Sequence, residues 1–230
     1  MPRPRFATLD PERRATILAA AAEEFAAHGI DGASYNRIIT RAAASKGAMY
    51  YYFDDKQDLL LAVLDDASAR ASAAIGGVAP VRDAASFWAE VTALCTRTLE
   101  FFVHQPVLAA LAGRLLTAST GPLAAAVASV HARLTALTTN LLRRGQAVGA
   151  VRDDLPLELL AHLLTGLGEA MDRWLASRWT QLRPHELAAL PAQLVDLFTR
   201  LAAPREPPRP SPPRRSLAAT HRARKPEKKP

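Results

Sequence analysis

An all-α fold in two domains follows from three observations. Alanine and leucine dominate an apolar fraction of 49%, a composition that favours helices over strands. Apolar residues recur at three- and four-residue spacing along most of the chain, and no alternating strand pattern interrupts them. Two short helical stretches between Ser34 and Phe53 meet at a three-alanine corner, Ala42–Ala44. At 230 residues the chain accommodates one small and one medium domain.

The chain opens on a short basic arm, residues 1–9, expected to lack order of its own. Its Arg3 and Arg5 suit either a groove or open solvent. Asp10-Pro11 starts a helix, aspartate as cap and proline in the first turn. Ile17, Leu18, Ala21 and Phe25 form its buried stripe, and Gly29 ends it.

Ser34 caps the next helix, whose Ile38, Ile39 and Ala42 fall at helical spacing. Ser45 caps the one after, and on it Met49 and Phe53 share one inward face. Lys46, Gly47, Ala48, Tyr50, Tyr51 and Tyr52 are left on the outer faces. A short helix showing a lysine, small residues and phenols suits a DNA major groove. The small residues admit the backbone to base edges, while phenols and lysine reach phosphates and thymine methyls.

Asp54 or Asp55 caps a fourth helix that runs to Gly76-Gly77, and Lys56 at its start is placed to reach a phosphate. Five further helices are expected near 83–104, 106–117, 122–147, 156–178 and 185–202. Proline and glycine punctuate them, and Pro191 is expected to interrupt the last. The helix after Pro156 is apolar nearly all round, which implies burial on two sides. Its Leu160, Leu163, Leu167 and Met171, with Leu194, Leu197 and Phe198 of the last helix, are the candidates for contact with a second subunit.

The net charge of +7 is no signature of the folded part. From Pro204 to Pro230 there are nine Lys and Arg against two Glu, so the remaining body is neutral. That proline-rich tail cannot support a core and is expected to be disordered. It either adds sequence-independent DNA affinity or merely solubilises.

A single cysteine, Cys95, excludes an internal disulfide and fits a reducing compartment. With no leader segment and no long apolar run, the expectation is a cytoplasmic protein. The six histidines show no metal-ligand spacing, Gly166-x-Gly168 sits mid-helix, and no nucleophile–base arrangement stands out. An enzyme is not expected, nor a cofactor.

The stretch S-K-G-A-M-Y-Y-Y-F-D-D-K-x-D-L resembles the DNA-binding segment of TetR-family transcriptional regulators, closely over about residues 10–60. Gly149-Ala-Val-Arg-Asp-Asp-Leu-Pro156 echoes the family more loosely. Two positions depart from the family pattern: Ile39, where a small residue is usual, and Ala43, where glycine is. An alanine at that corner must either avoid a left-handed conformation or be strained by it.

The resemblance implies a helix-turn-helix domain over 10–54, then an effector-binding and dimerisation domain over 55–203 that begins with the connecting helix 55–75. By resemblance Lys46, Gly47, Ala48, Tyr50 and Tyr51 face the groove, with Tyr35 and Asn36 alongside. Tyr50, Tyr52 and Lys56 are the expected phosphate contacts. An apolar effector pocket is implied in the second domain; its candidate lining is Trp88, Thr92, Phe102, Arg114, His131 and Glu169. The expected protein is thus a homodimeric DNA-binding regulator, a repressor released by a small molecule. The rival is a helical ligand- or partner-binding protein that uses its N-terminal fold for protein contacts.

Overall fold

The computed structural model describes residues 4–117, 124–178 and 181–204, so Arg3, the expected helix start at 122 and the tail beyond Pro204 lie outside it. The described residues form ten helices and no strand. They are α1 (Pro4–Ala7), α2 (Pro11–Gly32), α3 (Tyr35–Arg41), α4 (Lys46–Tyr52), α5 (Lys56–Ile75), α6 (Ala84–His104), α7 (Pro106–Thr117), α8 (Ala124–Ala147), α9 (Leu157–Arg178) and α10 (Pro184–Ala202).

Local chemistry starts the first helices where the sequence places them. The Asp10 carboxylate accepts from the amides of Glu12 and Arg13, and Asp55 from those of Gln57 and Asp58. Ser34 and Ser45 accept from Arg37 and Ala48 respectively. Each cap satisfies amides that the first turn leaves unpaired. Gly29 adopts φ +68°, but a further turn follows it to Gly32, so the glycine kinks α2 rather than ending it.

One core joins α2, α3 and α4 through Ile17, Phe25, Ile38, Met49 and Phe53, and continues through Leu59 and Leu60 to Phe101 and Leu111. A second core gathers Phe87 and Val91 of α6, Leu142 of α8, Leu160, Ala161 and Leu164 of α9, and Val195 of α10. It is tight at its base: a Cβ on Gly145 would lie 2.4 Å from Val151 and 2.7 Å from the Phe87 ring. Between the two cores the bundle opens. Residues 92–99 of α6 are all only half-buried, because α6 packs on α5, α7 and α10 while α8 and α9 pack on each other.

Three expectations are corrected. The arm is ordered from Pro4, because Phe6 is buried and its ring centroid lies 4.6 Å from that of Phe53. Pro191 does not interrupt α10. The helix tolerates the lost N–H there and Pro191 is itself buried, so packing overrides the breaker. Leu160 is 0% exposed inside its own subunit's core and cannot meet a second subunit.

Candidate nucleic-acid interface

The helix pair α3–α4 stands on α2 through contacts the sequence does not announce. Arg13 of α2 donates to the carbonyls of Ala42 and Ala43 at 2.8 and 2.7 Å, gripping the corner from below. Ala43 has φ +46°, so the corner keeps the left-handed geometry and the alanine bears the strain. The Glu24 carboxylate, 1% exposed, accepts from the Ser34 amide at 2.9 Å and from Arg37 Nε at 2.8 Å through one oxygen. Hydrogen bonding to Arg37 pulls its pKa down to about 2 against the opposing effect of burial.

On this base α4 presents its outer face. Lys46 and Gly47 are exposed, Ala48 is half-buried, and Tyr50 and Tyr51 are each 47% exposed. A Cβ on Gly47 would meet nothing within 4 Å. The glycine therefore serves no internal packing and leaves the backbone accessible from outside. Asn36, Arg37, Thr40 and Arg41 line a shallow depression on the neighbouring face of α3.

Two phenols are engaged within the domain. The Tyr35 hydroxyl donates to the Met49 carbonyl at 3.3 Å, locking α3 to α4, and burial pushes its pKa up to about 12. Tyr52 packs edge-on to Phe6 and Tyr51. Lys56 is also differently employed than expected. Its ammonium donates to the carbonyls of Asp31 and Ala33 at 3.1 and 3.0 Å, capping the end of α2. Arg5, which the arm holds in place through Phe6, lies over the Tyr51 ring at 4.5 Å and adds a cation beside the reader helix.

This is a helix-turn-helix with one exposed, phenol-rich reader. Residues 17–63 match the family model described as bacterial regulatory proteins, tetR family. The matched segment spans α2 to α5 and carries the DNA-binding domain of that family. Among solved structures, a TetR-family regulator from Chloroflexus aurantiacus is 25% identical with a TM-score of 0.67, over 89% of this chain and 100% of that one. The fatty acid degradation regulator FadR of Bacillus halodurans is 20% identical with a TM-score of 0.71, over 83% and 96%. FadR of Bacillus subtilis in complex with stearoyl-CoA is 17% identical with a TM-score of 0.67, over 80% and 97%. The last two likenesses show the fold alone. No curated protein matches the chain.

Behind the helix-turn-helix, α6 to α10 make up a second helical part of the chain. The candidates in that second domain separate. Trp88 packs edge-on against Phe87 at the second core, and the Thr92 hydroxyl is bonded to the Trp88 carbonyl. Phe102 packs on Phe101 and belongs to the first core. Arg114 reaches back to α2, where it donates to the carbonyls of Ala26 and Ala27. His131 of α8 and Glu169 of α9 meet each other at 2.5 Å.

The subunit-contact candidates separate likewise. Leu163 and Leu197 are 47% and 46% exposed. Leu167, Met171, Leu194 and Phe198 are half-buried. Leu159, Trp174 and Leu201 join the exposed set. No helix among the described residues is long and apolar enough to cross a membrane.

Proposed function

We propose that the protein acts as a homodimeric repressor that binds a near-palindromic operator and is released by a small-molecule effector. The observation that carries the DNA-reading part is the exposed α4 face of Lys46, Gly47, Tyr50 and Tyr51 on a braced pair of helices. In this reading Ala48 and Asn36 flank the base contacts, Tyr52 and Arg5 contribute phosphate contacts, and Tyr35 holds the angle between the two helices. Two readers related by a twofold would enter successive major grooves about 34–36 Å apart.

The second subunit covers the outer face of α9 and α10. Leu159, Leu163 and Trp174 lie on the side of α9 opposite its buried residues, and α10 exposes Leu197 and Leu201. The effector enters the opening between α6 and the α8–α9 pair. That the FadR structure of Bacillus subtilis holds a small molecule, stearoyl-CoA, supports reading the second domain this way. Release is then a population shift: the bound state disfavours the reader spacing that DNA selects.

The test is retention of a genomic fragment library on the purified protein at moderate salt, followed by sequencing. Enrichment of one inverted repeat is expected. Uniform retention of all fragments would overturn sequence-specific reading, and enrichment of a single half-site would overturn the dimer. Loss of transcription, rather than its rise, on deleting the gene would make the protein an activator.

A further inference from the structure

We propose that the opening between α6 and the α8–α9 pair binds an apolar molecule bearing an amine, with Asp172 as its counter-ion. This rests on the reading of the second domain as the effector domain and names the chemistry of that same opening.

The face of α9 that meets the core runs through Ala161, Thr165, Gly168, Asp172 and Leu175, at alternating spacings of four and three residues. Ala161, Thr165 and Leu175 on that face are buried, yet Asp172 between them is exposed. An inward carboxylate reaches solvent only if the bundle is open in front of it. Gly168 shows the same opening independently, since a Cβ there would meet nothing within 4 Å. Cys95 of α6 is half-buried against the second core, and burial, then the Asp172 charge, pushes its thiol up.

The polar groups around this space point to one kind of ligand. Threonines on these helices normally turn their hydroxyls back to their own helix: Thr92 to Trp88, Thr96 to Thr92, Thr98 to Leu94 and Thr139 to Thr135. Thr165 and Thr135 do not. Their buried hydroxyl oxygens have no partner among the described residues. The antiparallel register that pairs His131 with Glu169 places Thr135 opposite Thr165, one turn deeper. Buried hydroxyls without partners are rare unless something else is to meet them.

The charge of the site is acidic. Glu169 sits against the His131 ring, and no cation among the described residues lies within ion-pair distance of Asp172, with Arg173 beside it along the helix. Although Asp172 reaches solvent, the helices around its carboxyl group desolvate it, and this, then the Glu169 charge, raises its pKa to about 6. Beside the second core the half-buried Trp88, Cys95 and Leu141 offer apolar surface to the rest of the molecule. A carboxylate or phosphate ligand would face two like charges here and is disfavoured.

The test compares three probes with one apolar body: 4-phenylbutylamine, 4-phenylbutanol and 4-phenylbutyrate, measured by calorimetry on the full chain. The amine is expected to bind about tenfold more tightly than the alcohol, and the acid least. Asp172→Asn should bring the amine down to the level of the alcohol, and Gly168→Leu, which fills open space, should block both while the melting transition is kept. An amine no tighter than the alcohol, or an amine preference that survives Asp172→Asn, would overturn the proposal. So would preferential binding of the acid blocked by Gly168→Leu, though that outcome leaves the opening as an effector site. Amine binding as expected but without effect on DNA retention would uphold the site and overturn its regulatory role.

Discussion

Arg114 of α7 donates Nε–H to the carbonyl of Ala26 at 2.6 Å, and its Nη2 reaches the carbonyl of Ala27 at 2.8 Å. These carbonyls lie just before the Gly29 kink of α2, so the second domain holds the brace of the DNA reader directly. On its other side α7 presses on α9: a Cβ at Gly113 would lie 2.6 Å from that of Ala176. A movement of α9 around the opening therefore passes through α7 to α2 by contact. Arg114→Ala is expected to lower stability by about 1.5–3 kcal/mol, the range for hydrogen bonds that involve a charged group. It should also reduce the response of DNA binding to any effector, measured as operator affinity with and without ligand. Arg114→Lys should not restore the response, because an ammonium lacks the paired planar donors.

Ala43 at φ +46° is the one described non-glycine residue in the left-handed region. Its conformation costs about 1–2 kcal/mol relative to glycine, of which glycine's extra unfolded-state freedom takes back about 0.5–1 kcal/mol. Ala43→Gly should raise the thermal midpoint by a few degrees and leave operator preference unchanged. A lowered midpoint would mean that the corner relaxes and the strain is absent.

Much of the N-terminal domain is legible in sequence because its determinants are local. Asp10, Ser34, Ser45 and Asp55 each cap through an amide two or three residues away, which spacing alone reveals. The contacts that brace the reader are not local: Arg13 bonds to residues about thirty positions ahead, and Arg114 to carbonyls nearly ninety behind. Apolar periodicity also fails on α9, where leucines occur on all sides. Leu159 and Leu160 are adjacent in sequence, yet the first is exposed and the second fully buried. Phe6 was hidden among arginines and prolines, although a lone aromatic in a basic arm is itself a sign of an anchored segment.

Glu24 makes the fold acid-sensitive. Its folded pKa of about 2 lies below the ordinary value of 4.5, so the carboxylate stabilises the fold above pH 4.5. That contribution is lost as pH falls from there toward about 2. Glu24→Gln should cost about 2 kcal/mol near neutrality, since it weakens the charged bond to Arg37, itself about half exposed. The difference from the parent protein should shrink on acidification, read by thermal midpoints across the range. A difference independent of pH would remove the assigned charge effect.

Lys56 separates structural from DNA contacts. With two of its donors on the Asp31 and Ala33 carbonyls, Lys56→Ala should cost about 1 kcal/mol of stability. It should weaken binding to all sequences alike, and the salt dependence of binding should change by less than one ion. A fall of about one in that slope would instead make Lys56 a phosphate contact.

The exposed apolar face of α9 and α10 gives the last prediction. Leu159, Leu163 and Trp174 of α9 and Leu197 of α10 are each more than 40% exposed, and Leu201 is 36% exposed. Large apolar side chains left exposed in such number mark a contact site. Under the dimer reading, Leu163→Glu places a charge at the twofold on both copies at once, so the repulsion is doubled while the single subunit keeps its core through Leu160 and Leu164. Sedimentation should show monomers with an unchanged helical signal. Binding to a full inverted repeat should fall to the affinity of a single half-site. A variant that remains dimeric would move the interface elsewhere, and the exposed Val130, Leu134 and Leu137 of α8 would be the next face to charge.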